Sequence, residues 1–181
     1  MRKTALLFLA MTVLAASRAS GAVDFTVRAQ YFHPTDKAFQ DIYGGGVKAG
    51  FEIGVPLTRR LDLWVSGDTF SRTGELTYTG DETTLSLLPV GAGFRYRLTI
   101  GAVSAYCGAG ILACKFMEKN VIGKVNDVGF GGAGRAGVFV LVARGFLLHL
   151  GFGYSYVPMK PADFDIDVGG LEAGAGLSFL F

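Results

Sequence analysis

The sequence predicts an all-β fold: a closed, eight-stranded, antiparallel up-and-down transmembrane barrel. Three observations predict it. Apolar residues recur with a period of two rather than 3.6. The 181 residues are 50% apolar and 18% charged, with a mean hydropathy of +0.40, yet they include 27 glycines. Each interior glycine costs a helix about 1 kcal/mol relative to alanine, so this apolar surface has to be buried by something other than membrane helices. Finally, short turns near residues 60, 100 and 144, and the chain end at 181, recur about every 40 residues, one hairpin per repeat.

In chain order, residues 1–22 read as a Sec signal peptide. Arg2 and Lys3 form a positive start, and the apolar run from Ala5 to Ala16 is too short to span a bilayer, which takes about 20 residues. Small residues then place cleavage after Ala22, with Ala19 as the second choice. Residues 23–181 form one barrel domain. Asp24 to His33 is a first strand. In the second, Val47, Ala49, Phe51, Ile53 and Val55 share an apolar face, opposite Lys48, Gly50, Glu52 and Gly54. Leu61, Leu63 and Val65 begin a third, with Asp62, Trp64, Ser66 and Asp68 on the other face, so Trp64 points inward. Leu88, Val90, Ala92, Phe94 and Tyr96 mark a fourth. Val103 to Ala113 is a fifth and Val128 to Val142 a sixth. In the seventh, Phe146, Leu148, Leu150, Phe152, Tyr154 and Tyr156 oppose Leu147, His149, Gly151, Gly153 and Ser155. In the eighth, Leu171, Ala173, Ala175, Leu177, Phe179 and Phe181 oppose Gly170, Glu172, Gly174, Gly176 and Ser178. The connections at 34–43, 71–84, 114–127 and 158–165 read as long loops, and the others as short turns.

An apolar strand face belongs in a soluble core or in lipid. The polar faces here carry glycine and charge instead of the Ser, Thr and Lys of a wetted surface, and the apolar segments run 9–11 residues, enough to cross a hydrocarbon core at about 45° tilt. With its terminal strand Leu171 to Phe181, the chain resembles the small eight-stranded outer-membrane proteins of Gram-negative bacteria, the OmpA/OmpX-like β-barrel-domain families. The resemblance implies an outer-membrane location, periplasmic termini and turns, and long external loops. It also implies Leu177, Phe179 and Phe181 as the signal read by the barrel assembly machinery, with periplasmic chaperones and outer-membrane lipid, including lipopolysaccharide, as further partners. It says almost nothing about activity.

An eight-stranded barrel has an interior just wide enough for side chains. Lys48, Glu52, Arg95, Arg135, His149 and Glu172 are the candidate lumenal charge network, and they are expected to pair or stay hydrated. Glycines at 50, 54, 91, 93, 151, 153, 174 and 176 leave room for them. Tyr31, Tyr96, Tyr154, Tyr156, Phe179 and Phe181 fit aromatic girdles at the two membrane interfaces.

Several function classes are disfavoured. Without residues 1–22 the chain has 14 basic and 15 acidic residues, a poor match for nucleic acid. Gly132 to Gly137 matches G-x-G-x-x-G, and Gly108 to Ala113 nearly does. Neither opens a helix, and Val157 stands where an acidic residue belongs. Cys107 and Cys114, about 23 Å apart if on one strand and on opposite faces, are expected as free thiols. They could bridge only if Cys114 lay in a loop that folds back. With two histidines, neither a metal nor any other cofactor is expected. His33 with Asp36, and His149, are the places a lipid A-modifying catalyst would need, but no matching Ser–His cluster accompanies them. The expected function is therefore non-enzymatic: a monomeric structural or surface-interaction protein whose loops meet an extracellular ligand. A narrow pore for ions or small solutes is the alternative.

Overall fold

The computed structural model describes residues 22–75, 82–121, 123–161 and 165–181. The expected signal peptide, Ala22 aside, lies outside the described residues. Strands β1 (Asp24–Pro34), β2 (Gly46–Pro56), β3 (Leu61–Glu75), β4 (Glu82–Ile100), β5 (Val103–Lys119), β6 (Lys124–Ala143) and β7 (Phe146–Tyr156) follow one another. A two-residue hairpin of β8 (Pro158–Met159) and β9 (Ile166–Asp167) precedes β10 (Gly170–Leu180). Helix α1 (Lys37–Tyr43) lies between β1 and β2. Strands β1 to β7 pair in sequence, and β10 pairs with both β7 and β1, so eight antiparallel strands close into a barrel. The seam is continuous from Asp24↔Leu180 to Pro34↔Gly170. Beyond it, Val23 and Phe181 exchange backbone hydrogen bonds of 3.2 and 2.9 Å.

Alternation assigns the faces as the period of two dictates. On β1, Asp24, Thr26, Arg28, Gln30 and Phe32 are buried while Val27 and Tyr31 are exposed. On β7, Leu147, His149 and Ser155 are buried while Leu150, Phe152 and Tyr154 face outward. Val55, next to a turn, is buried despite its apolar-face position. Trp64 points inward and is 1% exposed. The short turns suit their residues, since Gly101 (φ 60°) and Gly145 (φ 84°) take the left-handed conformation that glycine adopts without strain.

Two of the expected long loops are shorter, because their described flanks are strand. β3 and β4 stay paired out to Glu75↔Glu82, and β5 and β6 out to Lys119↔Lys124. The polar residues there read as loop in the sequence, but a strand wetted on its outer face alternates apolar and polar just as well. The wall formed by β3–β6, with strands of 15, 19, 17 and 20 residues, therefore stands well above the 11-residue strands β1, β2, β7 and β10. Asp36 starts α1 by accepting from the Phe39 amide at 3.0 Å, and Gly44 ends it. Phe39 and Tyr43, one helical turn apart, point into the barrel mouth.

The interior has two halves. Toward the loops it is apolar: Phe32, Phe39, Tyr43, Phe70, Leu85, Leu87, Leu112, Phe116, Val157, Met159 and Val168 form one buried cluster. Phe32 and Phe70 rings meet edge to face at 5.1 Å. Toward the turns the interior is charged. The sequence reading, which expected a polar lumen throughout, missed the apolar half. Leu85 lies between polar outward Thr84 and Ser86, and Leu87 and Phe116 each have one polar and one apolar outward neighbour, so alternation there does not reveal their direction.

Glycines make the space for large inward side chains. A Cβ at Gly93 or Gly110 would overlap the Trp64 ring, and one at Gly54 would overlap the Arg95 guanidinium and the Asp24 carboxylate. Trp64 is the only tryptophan of the chain, so its fluorescence reports on this packing. Gly110→Leu should shift Trp64 emission toward the red and destabilise the barrel by about 1–3 kcal/mol, the usual cost of overpacking. An unchanged spectrum and unchanged urea midpoint would show that the ring does not rest on Gly110.

Candidate functional site: the lumenal ion-pair network

The charged half of the lumen is built by alternation on six strands. β1 contributes Asp24 and Arg28, β2 Lys48 and Glu52, β3 Asp62 and Asp68, β4 Arg95 and Arg97, β6 Arg135, and β10 Glu172. Glu52 is the hub: its carboxylate meets Arg28 at 2.7 Å, Arg95 at 2.6 Å and Arg135 at 2.9 Å. Arg28 also forks onto Asp68, its closest contact at 2.9 Å. Arg95 donates to Asp62 at 2.9 Å and pairs with Asp24. Arg97 bridges the same two carboxylates at 2.6 and 2.7 Å. Lys48 pairs with Glu172, which also accepts from Ser155 at 3.5 Å. Five carboxylates thus meet five cations. Forked, planar guanidinium contacts suit arginine to this role.

Aromatic rings close the spaces between charges. The Arg135 guanidinium lies 4.3 Å from the Trp64 ring centroid. Arg95 and Arg97 sit 5.1 and 5.0 Å from Phe139. Phe139 in turn packs against both Tyr106 and His149, at 5.2 and 4.8 Å. Where the charged and apolar halves meet lies a void of about 20 Å³, lined by Lys48, Asp68, Arg135 and Glu172 below and by Phe32, Phe70 and Leu87 above. That is room for about one water molecule.

The structure places all six sequence-predicted lumen residues inside and brings five of them into ion pairs: Lys48, Glu52, Arg95, Arg135 and Glu172. His149 is the exception. Its Nε2 meets the Tyr106 hydroxyl at 2.8 Å, and it joins the charges only through the aromatic stack. Tyr106 comes from β5, two strands away, so spacing along β7 does not reveal it. Sequence reasoning left out Asp24, Arg28, Asp62, Asp68 and Arg97. Asp24, Thr26, Arg28 and Gln30 alternate perfectly and would have revealed the first two. His33 and Asp36 do not form a site together. His33 contacts Gln40 at 3.0 Å, while Asp36 caps α1 and accepts from the Asp167 amide at 3.2 Å. Cys107 and Cys114 are free thiols, one exposed and one buried. Among the described residues no His, Cys, Asp and Glu side chains cluster as metal ligands.

No family model and no curated protein sequence matches the chain. Its structure is similar to that of neisserial surface protein A, with TM-score 0.70 and 18% identity, covering 90% of this chain and 100% of that one. It is also similar to the outer membrane protein OprG from Pseudomonas aeruginosa (TM-score 0.72, 15% identity, 90% and 97% covered). A third similar structure is Ail, the attachment invasion locus protein of Yersinia pestis (TM-score 0.55, 15% identity, 88% and 99% covered). The fold is that of the small outer-membrane barrels. It is the architecture that the alternating strands imply. Leu177 on β10 and Phe181 just beyond it are exposed, and Phe179, in register with them, packs edge-on against Phe146 at 5.1 Å.

Glu52→Gln removes the one carboxylate shared by three buried arginines. It should cost about 3–5 kcal/mol, because Arg135 is left without a carboxylate and Arg28 and Arg95 each lose one of theirs. Glu52→Asp should recover part of this. Urea unfolding of the barrel in lipid vesicles measures both, and a cost under about 1 kcal/mol for the glutamine variant would show that the hub is not stabilising.

Proposed function

We propose that the protein is a monomeric, integral outer-membrane barrel with a closed lumen, acting as a scaffold that presents α1, the β8–β9 hairpin and the raised β3–β6 wall outside the cell. One observation carries this reading: the interior is filled by balanced ion pairs at the turn end and by packed apolar side chains at the loop end. A conducting path needs mobile, unpaired charge and continuous water, and five cations matched to five carboxylates supply neither.

The membrane location is supported by the exterior. Val27, Phe51, Val90, Phe94, Ile111, Phe130, Phe152 and Leu177 are exposed around the wall, an apolar belt far too extensive for water. Strands of 11 residues, at about 3.3 Å each and tilted about 45°, match a belt about 25 Å tall. Tyr31, Tyr154 and Tyr156 rim its loop end, and Tyr96, Phe179 and Phe181 its turn end. Assembly by the barrel machinery, delivery by periplasmic chaperones and contact with an extracellular ligand belong to the same proposal. The reading assigns no catalytic step to the chain.

Planar-bilayer recording of the refolded mature protein tests it, with heat-dependent gel mobility as the control for folding. The expected result is a folded barrel without steady conductance. Charge-selective conductance altered by Arg135→Ala would overturn the closed scaffold and establish a narrow pore lined by Lys48, Glu52, Arg95, Arg135 and Glu172.

A further inference from the structure

Helix α1 covers the apolar half of the lumen and joins the barrel through glycine. Gly44, Gly45 and Gly46 follow it in a row, and Gly44 holds a φ of 61°. Without a Cβ, such a run lets the backbone swing where other residues would be restricted. The β8–β9 hairpin lies against α1 and returns to the barrel through a second glycine pair, Gly169 and Gly170. Asp36 ties the two pieces together. Its Oδ1 accepts from the Phe39 amide at 3.0 Å and its Oδ2 from the Asp167 amide at 3.2 Å. One carboxylate therefore both starts the helix and holds the hairpin to it.

A helix of seven residues is unstable by itself in water. The surface beneath keeps α1 folded. Phe39 and Tyr43 are buried in the cluster with Phe32, Phe70, Leu85 and Phe116, and Phe39 meets the Phe32 ring edge-on at 6.5 Å. Polar ties to the barrel are the Tyr43 hydroxyl with Thr83 at 3.2 Å and, on the exposed side, Gln40 with His33 at 3.0 Å. The hairpin adds Met159 and Val157 to the same cluster. The barrel side of the cluster stands on the paired strands β1, β3, β4 and β5, which keep their ladders whether or not α1 is seated. Lifting α1 therefore breaks a few side-chain contacts and leaves the barrel intact, the pattern of a local opening.

We infer that α1 and the β8–β9 hairpin form one lid, keyed by Asp36, that opens about Gly44–Gly46 and Gly169–Gly170 while the barrel stays folded. Phe39 and Tyr43 are then a built-in occupant of the barrel mouth, and opening bares the apolar inner face of the raised wall. The inference rests on the closed-lumen reading above and adds a moving part to it.

Cys114 supplies the probe. It is 2% exposed and belongs to the cluster beneath the lid, whereas Cys107 is exposed. The mature barrel carrying Cys107→Ala is treated with a charged methanethiosulfonate reagent in water, and labelling is followed by mass. This parent protein should react slowly. Asp36→Ala removes the helix cap and the hairpin tie, and should speed labelling about tenfold. Tyr43→Phe removes only the Thr83 contact, and should speed it about threefold. Asp165→Asn, which breaks the exposed pair with Lys160, should leave the rate unchanged. The urea midpoint and Trp64 emission should stay at their parent values throughout. Labelling of the Asp36→Ala and Tyr43→Phe proteins at the parent rate overturns the lid and leaves the closed lumen standing. A rate that rises only together with a fall in the urea midpoint also overturns the lid, since the thiol is then reached by unfolding of the whole barrel. A parent protein whose Cys114 reacts as fast as a free thiol overturns the closed lumen and the lid together.

Discussion

Closure of the backbone ladder between β1 and β10 is the constraint on which the rest of this structure depends. An open sheet of this composition would expose two unpaired edges next to apolar side chains, with no water in a bilayer to satisfy them. Joining Asp24–Pro34 to Gly170–Leu180 pairs those edges. Only then can the strands turn Val27, Phe152 and Leu177 outward and hold Arg28, His149 and Glu172 inside. The terminal aromatic Phe181 lies at this seam, and its backbone pairs with Val23. Phe181 therefore carries the ladder one residue beyond the last strand pair.

Closure creates a second problem. Ten ionisable side chains have to share a lumen with little room for water. The charges are balanced in number, and Glu52 serves three arginines at once. Glycine solves the steric half of the problem, since the positions facing Trp64, Arg95 and Asp24 cannot bear a Cβ without overlap. Buried ion pairs often contribute little net stability compared with a well-packed apolar interior. Here they confer polarity of structure: a charged, rigid plug at the turn end, and an apolar plug with its helical cap at the loop end.

The barrel is also lopsided. The tall β3–β6 wall lifts lysine-bearing strands beyond the apolar belt, while the opposite side ends low, covered by α1 and the β8–β9 hairpin. Among the described residues, much of the surface outside the belt is therefore carried by paired strands.

The sequence by itself determined the strand count, the short turns, the terminal seam strand and which residues face out, because alternation is a local property and period two leaves only two faces. It also placed Trp64 and five paired charges inside. Only the tertiary structure decided who meets whom. Tyr106 reaches His149 across an intervening strand, and Asp24 reaches Arg95 from distant parts of the chain; neither pairing follows from spacing along one strand. The tertiary structure also decided that residues such as Ser71 and Thr84 continue a ladder, since their polarity is that of a loop and their partners across the hairpin supply the missing hydrogen bonds. Helix α1 stayed unread for a similar reason. Its seven residues are too few for a periodic signal, and what holds it is the barrel mouth receiving Phe39 and Tyr43.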